Sequence, residues 1–161
     1  MVPEYRTPEQ PRYRIPHHQR VQDGNGVGMA YEDYMSDLKQ VIAKHNIAMP
    51  ADLLEDWKHV YEMYNDGLDD FWDQYKDGYV RNDIEMLLKE AVLQHHPEFR
   101  FFKDEIAKYD GLIQQLLIFP ASGSNANWWD NMIPKKATAD FIEQVRSYHG
   151  IEIASRIEQI D

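Results

Sequence analysis

A long apolar stripe between residues 54 and 75 limits most strongly how this chain can fold. The stripe advances in alternating steps of three and four residues through Leu54, Trp57, Tyr61, Tyr64, Leu68, Phe71 and Tyr75. Residues with this spacing lie on one side of an α-helix, because a helix turns once in about 3.6 residues. A stripe with this many large rings has to be covered by other elements. The pattern therefore predicts an amphipathic helix packed inside a helical domain.

The stripe keeps its helical phase across Gly67, although glycine lowers the stability of a helix interior. We therefore expect one bent helix rather than two, with its end at Asp77 and Gly78. The next helix is then expected to begin near Asn82 or Asp83, either of which can cap it.

Five further segments carry apolar residues at helical spacing. These residues are Tyr31, Tyr34, Leu38 and Val41; Ile84, Leu87 and Val92; Phe99, Phe102, Ile106, Tyr109 and Ile113; Phe141, Val145 and Tyr148; and Ile153, Ile157 and Ile160. We expect helices to begin at Met29 and Pro97, and stops at Pro50 and Gly150. The sequence contains no convincing alternating pattern typical of a β-strand. The predicted fold class is therefore all-α, a bundle of five to six helices with an extended Pro-rich N-terminal arm.

The N-terminal arm differs in composition from the rest of the chain. Four of the eight prolines lie in it, namely Pro3, Pro8, Pro11 and Pro16. Proline fixes φ and donates no backbone hydrogen bond, so an extended or irregular chain is expected here. The glycine-rich run 23–28 is expected to act as a hinge. We therefore predict two parts, an arm with its hinge at residues 1–28 and an acidic helical domain at residues 29–161.

Charge divides the chain at the same place. The whole chain has 17 Lys and Arg against 28 Asp and Glu, a net charge of −11. Its first 28 residues hold four arginines and three acids, a net charge of +1, which leaves −12 on the other 133 residues. A chain with this charge is not expected to bind nucleic acid directly or to bind an anionic membrane.

The chain contains no cysteine, which excludes disulfides, thiolate metal ligands and thiol nucleophiles. It has no run of about eighteen apolar residues. Its first residues also lack the cationic-then-apolar order of a secretion signal. We therefore expect a soluble protein that is cytoplasmic as synthesised and that could be incorporated in a virion or another large assembly.

A histidine and two acids share one side of the stripe helix. Glu55, His59 and Glu62 lie one turn apart, and such a set could hold zinc or part of a di-iron centre. A di-iron centre uses two Glu-x-x-His motifs, however, and the chain has no such pair. We interpret the set as a solvated polar face, so no metal ligand, cofactor or catalytic residue is predicted.

Two other motifs also receive a structural interpretation. His95 and His96 are adjacent near the expected end of a helix, and neighbours on a regular helix point about 100° apart, so they are not expected to chelate one ion. The segment 73–85 has the glycine and some acids of a calcium loop, but Ile84 occupies the twelfth position, where a carboxylate is required. We expect a helix end in the first case and a joint between helices in the second.

The candidate binding residues lie in the arm and in a loop at residues 119–134. The loop carries two adjacent tryptophans, a residue type favoured at interface hot spots, although both rings could instead fill the open end of the bundle. Arginines of an extended arm can pair with carboxylates on a partner's surface. The predicted partner-binding residues are Arg6, Arg12, Tyr13, Arg14, Arg20, Trp128 and Trp129.

These features favour a non-enzymatic assembly subunit that docks into a larger complex, for example a phage or virus particle. Its predicted partners are proteins, with copies of itself among them, so we expect an oligomer or a multi-protein assembly. An acidic helical inhibitor that mimics nucleic acid and blocks a DNA- or RNA-binding host protein is the first alternative. A metal-dependent helical enzyme built around His59 is the second.

Overall fold

The computed structural model describes residues 24–67, 73–119 and 127–160 of the chain. This part contains six α-helices and a few very short strands, which confirms the all-α prediction. The helices are α1 (Gly24–His45), α2 (Pro50–Asp66), α3 (Asp73–Leu88), α4 (Pro97–Gln114), α5 (Ala139–His149) and α6 (Ile151–Ala154). Two 3₁₀ segments, Ala91–Leu93 and Trp128–Asn131, lie between them. Of the predicted arm and hinge at residues 1–28, residues 1–23 lie outside the described residues.

The described chain forms two compact units. The first unit contains residues 24–47 and 90–101, and the second contains the rest of the described chain. In the first unit α1 packs against the 3₁₀ segment Ala91–Leu93. Its buried residues include Tyr34, Leu38 and Val41 of the predicted α1 stripe, whereas Tyr31 of the same stripe is 49% exposed.

The second unit is built around α2, α3 and the larger part of α4. Helix α2 packs against α3, and α3 packs against the segment Trp128–Asn131. The predicted stripe residues Trp57 and Tyr64 are 0% and 1% exposed, and the predicted α4 residues Ile106 and Ile113 are also buried. The helical spacing in the sequence therefore identified residues that are buried in the structure.

Four two-residue strands lie in the described part of the second unit. They are β1 (Leu117–Ile118), β2 (Ile133–Pro134), β3 (Lys136–Ala137) and β4 (Glu158–Gln159). β1 pairs antiparallel with β2, and β3 pairs parallel with β4. Lys135 joins the two ladders, because its backbone N–H donates to the Leu116 oxygen at 2.8 Å and its own oxygen accepts from Glu158 at 2.7 Å. Strands this short leave no alternating pattern in the sequence.

The prediction of one bent helix across Gly67 is wrong. Helix α2 ends at Asp66, and Gly67 has φ 97° and ψ 128°, which is outside the helical region. Helix α3 then runs without a break through Asp77 and Gly78, the pair expected to end a helix. A Cβ at position 78 would lie 3.3 Å from the Trp129 carbonyl oxygen, so glycine here allows the backbone of residues 128–131 to approach α3 closely.

Three other boundaries differ from the expected ones. Helix α1 begins at Gly24, within the expected hinge, rather than at Met29. Helix α3 ends at Leu88, before the histidine pair that was expected to terminate it. Helix α6 contains only four residues, so Ile157 and Ile160 lie beyond it, where the backbone pairs with β3 instead.

The described helices include none that combines the length and the apolar character needed to cross a membrane.

Gly67→Ala is expected to lower the free energy of unfolding by about 1–2 kcal/mol, because a side chain is strained at positive φ. An added Cβ would also overlap the δ-methyl group of Ile160, which then has to move. Gly150→Ala is the matched control, since Gly150 has φ 98° and no described atom within 4 Å of an added Cβ. In urea unfolding we expect Gly67→Ala to lose at least as much stability as Gly150→Ala. An unchanged midpoint for Gly67→Ala would contradict the left-handed backbone described here.

Candidate functional site

A buried arginine is the polar centre of the second unit. Arg81 of α3 is 4% exposed and binds Asp110 of α4 with two hydrogen bonds, from Nε to Oδ1 at 3.0 Å and from Nη2 to Oδ2 at 2.8 Å. Its third nitrogen, Nη1, donates to Glu85 at 2.8 Å. The planar guanidinium thus donates two hydrogen bonds to the Asp110 carboxylate. It donates a third to the carboxylate of Glu85, one turn further along its own helix.

Two tryptophans complete this centre. The guanidinium carbon of Arg81 lies 4.2 Å from the centre of the Trp129 ring, within the range of a cation–π contact. The indole Nε1 of Trp57 donates to Asp110 Oδ1 at 3.0 Å, and that of Trp129 donates to Asn82 Oδ1 at 2.7 Å. Both buried indole N–H groups therefore have an acceptor, as buried tryptophans require.

Electrostatics keep the Arg81 guanidinium charged. Burial by itself lowers the pKa of Arg81, but the hydrogen bonds and charge of Asp110, followed by those of Glu85, raise it above its ordinary value. A guanidinium held in this way does not exchange protons near neutral pH. We interpret the centre as a structural tie between α2, α3, α4 and residues 128–131.

The two tryptophans of the predicted binding loop differ in their surroundings. Trp129 is 6% exposed and packs inside the second unit, as the filling interpretation predicted for it. Trp128 is half-buried, and its ring lies 6.3 Å from the Trp57 ring and 5.6 Å from the Trp129 ring. The arm residues of the prediction, Arg6, Arg12, Tyr13, Arg14 and Arg20, lie outside the described residues.

The polar face around His59 has the character expected from the sequence. The His59 Nδ1 and Glu62 Oε1 atoms are 3.7 Å apart, and the two side chains are 69% and 70% exposed. Glu55 is also exposed. Residues 73–85, which have some features of a calcium loop, lie within helix α3, so the expectation of a joint between helices there is wrong.

The first unit contains a histidine and carboxylate cluster that the sequence interpretation missed. Asp37 of α1, His95 and His96 each offer one ligand atom, and these atoms all lie within 4.8 Å of one another. It is the one such group of three among the described residues. The Nε2–H of His96 donates to Asp37 Oδ2 at 2.8 Å, and the His96 side chain is 7% exposed.

The sequence did not predict this cluster because a helix that ends at Leu88 was expected to continue to the histidine pair. The argument against chelation assumed that His95 and His96 lie on a regular helix. They lie instead between the 3₁₀ segment Ala91–Leu93 and the start of α4, where their ring centres are 4.2 Å apart. Two adjacent histidines directly before Pro97 were a usable signal, because the residue before a proline is disfavoured in helical conformation.

A second contact between an acid and basic residues lies in the same unit. Glu90 Oε2 accepts hydrogen bonds from His45 at 2.6 Å and from Lys44 at 3.0 Å, both at the end of α1. The hydrogen bonds from His45 and then Lys44 lower the pKa of Glu90. Basic residues at a helix C-terminus also interact favourably with the helix dipole.

No protein family, curated protein or solved structure was found to match this chain. The function therefore has to be argued from the residues themselves.

Asp110→Ala is expected to destabilise the protein by about 3–5 kcal/mol, because it leaves the buried Arg81 charge without its main partner. Arg146→Gln is the matched control. It removes the exposed ion pair between Arg146 and Glu143, and such pairs contribute under about 1 kcal/mol. Chemical unfolding followed by circular dichroism measures both changes. Equal losses in the two variants would contradict the central role of the buried pair.

The Glu90 contacts are expected to stabilise the protein in a pH-dependent way. Folding lowers the pKa of Glu90 from its ordinary value of 4.5. The contacts therefore stabilise the protein fully above pH 4.5, and this stabilisation is lost as the pH falls from 4.5 toward the lowered pKa. Glu90→Gln should therefore reduce the melting temperature at pH 7 more than at pH 3. A melting-temperature difference that is the same at both pH values would contradict this assignment.

Proposed function

We propose that this protein is a non-enzymatic subunit that binds other proteins, copies of itself included, within a larger assembly. The observation that carries the proposal is Trp128, a half-buried indole set against two other tryptophan rings on the surface of the second unit. A tryptophan fixed in this way loses little side-chain entropy on binding and suits the centre of an interface.

The distribution of charge along the chain supports a protein partner for residues 1–28. Residues 1–28 carry a net charge of +1, with four arginines, whereas the remaining 133 residues carry −12. Arginine pairs with carboxylates through two parallel hydrogen bonds, so the arm of one copy suits the acidic surface of another. The proposed interface therefore joins the arginines of one chain to the acidic part of a neighbour, and Trp128 provides a second contact.

A second candidate, mimicry of nucleic acid, is favoured by the exposed face of α2. Five of its acids are exposed, namely Asp52, Glu55, Asp56, Glu62 and Asp66. A row of carboxylates can steer a basic nucleic-acid-binding protein towards the helix. This candidate ranks second, because exposed acids on a helix are also the ordinary means of solvating it.

The assembly proposal predicts that the full chain is larger than a monomer in light scattering coupled to size-exclusion chromatography. A chain that starts at Gly24 keeps the whole of α1, and we expect it to shift toward the monomer mass. A full-length variant with Arg6, Arg12, Arg14 and Arg20 changed to Gln should shift in the same direction, while the corresponding Lys variant should shift less. Association should also weaken between 0.15 and 1 M salt, since the screening length falls from about 8 to about 3 Å.

Trp128→Ala tests the second contact, with Phe101→Ala as the matched control because Phe101 is an aromatic residue with 58% exposure. We expect association to weaken about tenfold or more in the first variant and to stay within about twofold in the second. Thermal melting verifies that both variants fold.

A monomeric full chain at all concentrations, or equal association of every variant, would contradict the proposal. Displacement of duplex DNA from a basic DNA-binding domain, lost when the five α2 acids are neutralised, would favour the second candidate instead.

A further inference from the structure

Three potential metal ligands already converge in the first unit. Each of Asp37, His95 and His96 contributes one atom, and the atoms lie within 4.8 Å of one another. Zinc bonds to histidine nitrogen and carboxylate oxygen are about 2.0–2.2 Å long, which places neighbouring ligands of a tetrahedral ion about 3.4 Å apart. The Asp37 oxygen and the His96 nitrogen are 2.8 Å apart across their hydrogen bond, so an ion would take the place of the proton between them and the two atoms would separate slightly.

A structural hydrogen bond accounts for only part of this arrangement. It explains why the buried His96 faces Asp37, because a buried imidazole N–H needs an acceptor. It does not explain why the exposed His95 brings a ring nitrogen within 4.8 Å of the other two ligand atoms, with the two ring centres 4.2 Å apart. Two imidazoles and one carboxylate with ligand atoms this close to one another form a ligand set suited to a divalent cation.

A neighbouring acid adds to the negative charge of this segment. Glu98 follows His96 by two residues, so their backbones are within about 7 Å of each other. One Glu98 oxygen, Oε1, is buried and has no hydrogen-bond partner among the described residues. A cation bound at the cluster would place a positive charge in the same segment of the chain as this carboxylate.

We propose that Asp37, His95 and His96 bind one divalent transition-metal ion of the zinc class. The ion ties α1 to the segment that precedes α4, two parts of the first unit that are far apart in sequence. Three protein ligands leave one position of a tetrahedral ion open for water or for a group of a binding partner. This site is independent of the assembly proposal, because none of its ligands belongs to the arm or to the tryptophan segment.

The test uses the untagged full chain and Zn²⁺ as the probe. Isothermal titration is expected to show one high-affinity equivalent, and Co²⁺ in its place should give the visible absorption bands of a four-coordinate nitrogen and oxygen site. His95→Gln is the main variant, because His95 is exposed and its replacement leaves the buried His96–Asp37 hydrogen bond in place. We expect affinity to fall at least about tenfold, and Asp37→Asn to lower it as well.

Two controls separate this site from the other histidines of the chain. His59→Gln removes an exposed histidine that also has a carboxylate nearby, and a double change of His17 and His18 to Gln removes the adjacent pair in the arm. Both control proteins should bind zinc within about twofold of the unaltered chain. The proposal is overturned if the unaltered chain binds no stoichiometric Zn²⁺, if His95→Gln binds it equally well, or if binding is lost only in the His17 and His18 variant.

Discussion

The buried ion pair between Arg81 and Asp110 is the interaction on which the second unit depends. A charge in this position is costly unless its partner is correctly placed, so the pair constrains the relative positions of α3 and α4. The Trp57 indole shares the same carboxylate, and the Trp129 ring covers the guanidinium. Arg81 and Asp110 together thereby link four segments that are distant in sequence, namely α2, α3, α4 and residues 128–131.

Helix spacing predicted the apolar part of this structure well. Trp57, Ile106 and Val145 were placed on buried faces because a stripe of large side chains has few other stable arrangements, and all three are buried. Helix ends were harder to predict. Gly67 preserves the helical spacing of the stripe, and its backbone conformation, which the sequence pattern does not reveal, shows that the helix stops there. Gly78 is the converse, a glycine kept inside a helix by the close approach of another segment.

The polar features were the least predictable, because they join residues remote in sequence. Nothing in the local pattern pairs Arg81 with Asp110, 29 positions away, or brings His96 to Asp37 across 59 positions. The histidine pair itself was visible in the sequence, but its meaning depended on whether residues 95 and 96 were helical. One helix boundary therefore decided whether this pair was interpreted as a helix end or as a pair of ligands.

The parallel pairing of β3 with β4 has a consequence for biosynthesis. Within the described residues, the Lys135 oxygen and β3 take their backbone hydrogen-bond partners from residues 158–160. A chain emerging from the ribosome can form its helices early, since these depend on local contacts, whereas this ladder has to wait for residues 158–160 to leave the exit tunnel. Until then the Lys135 oxygen and the backbone of β3 lack these partners and stay open to mispairing with other strands.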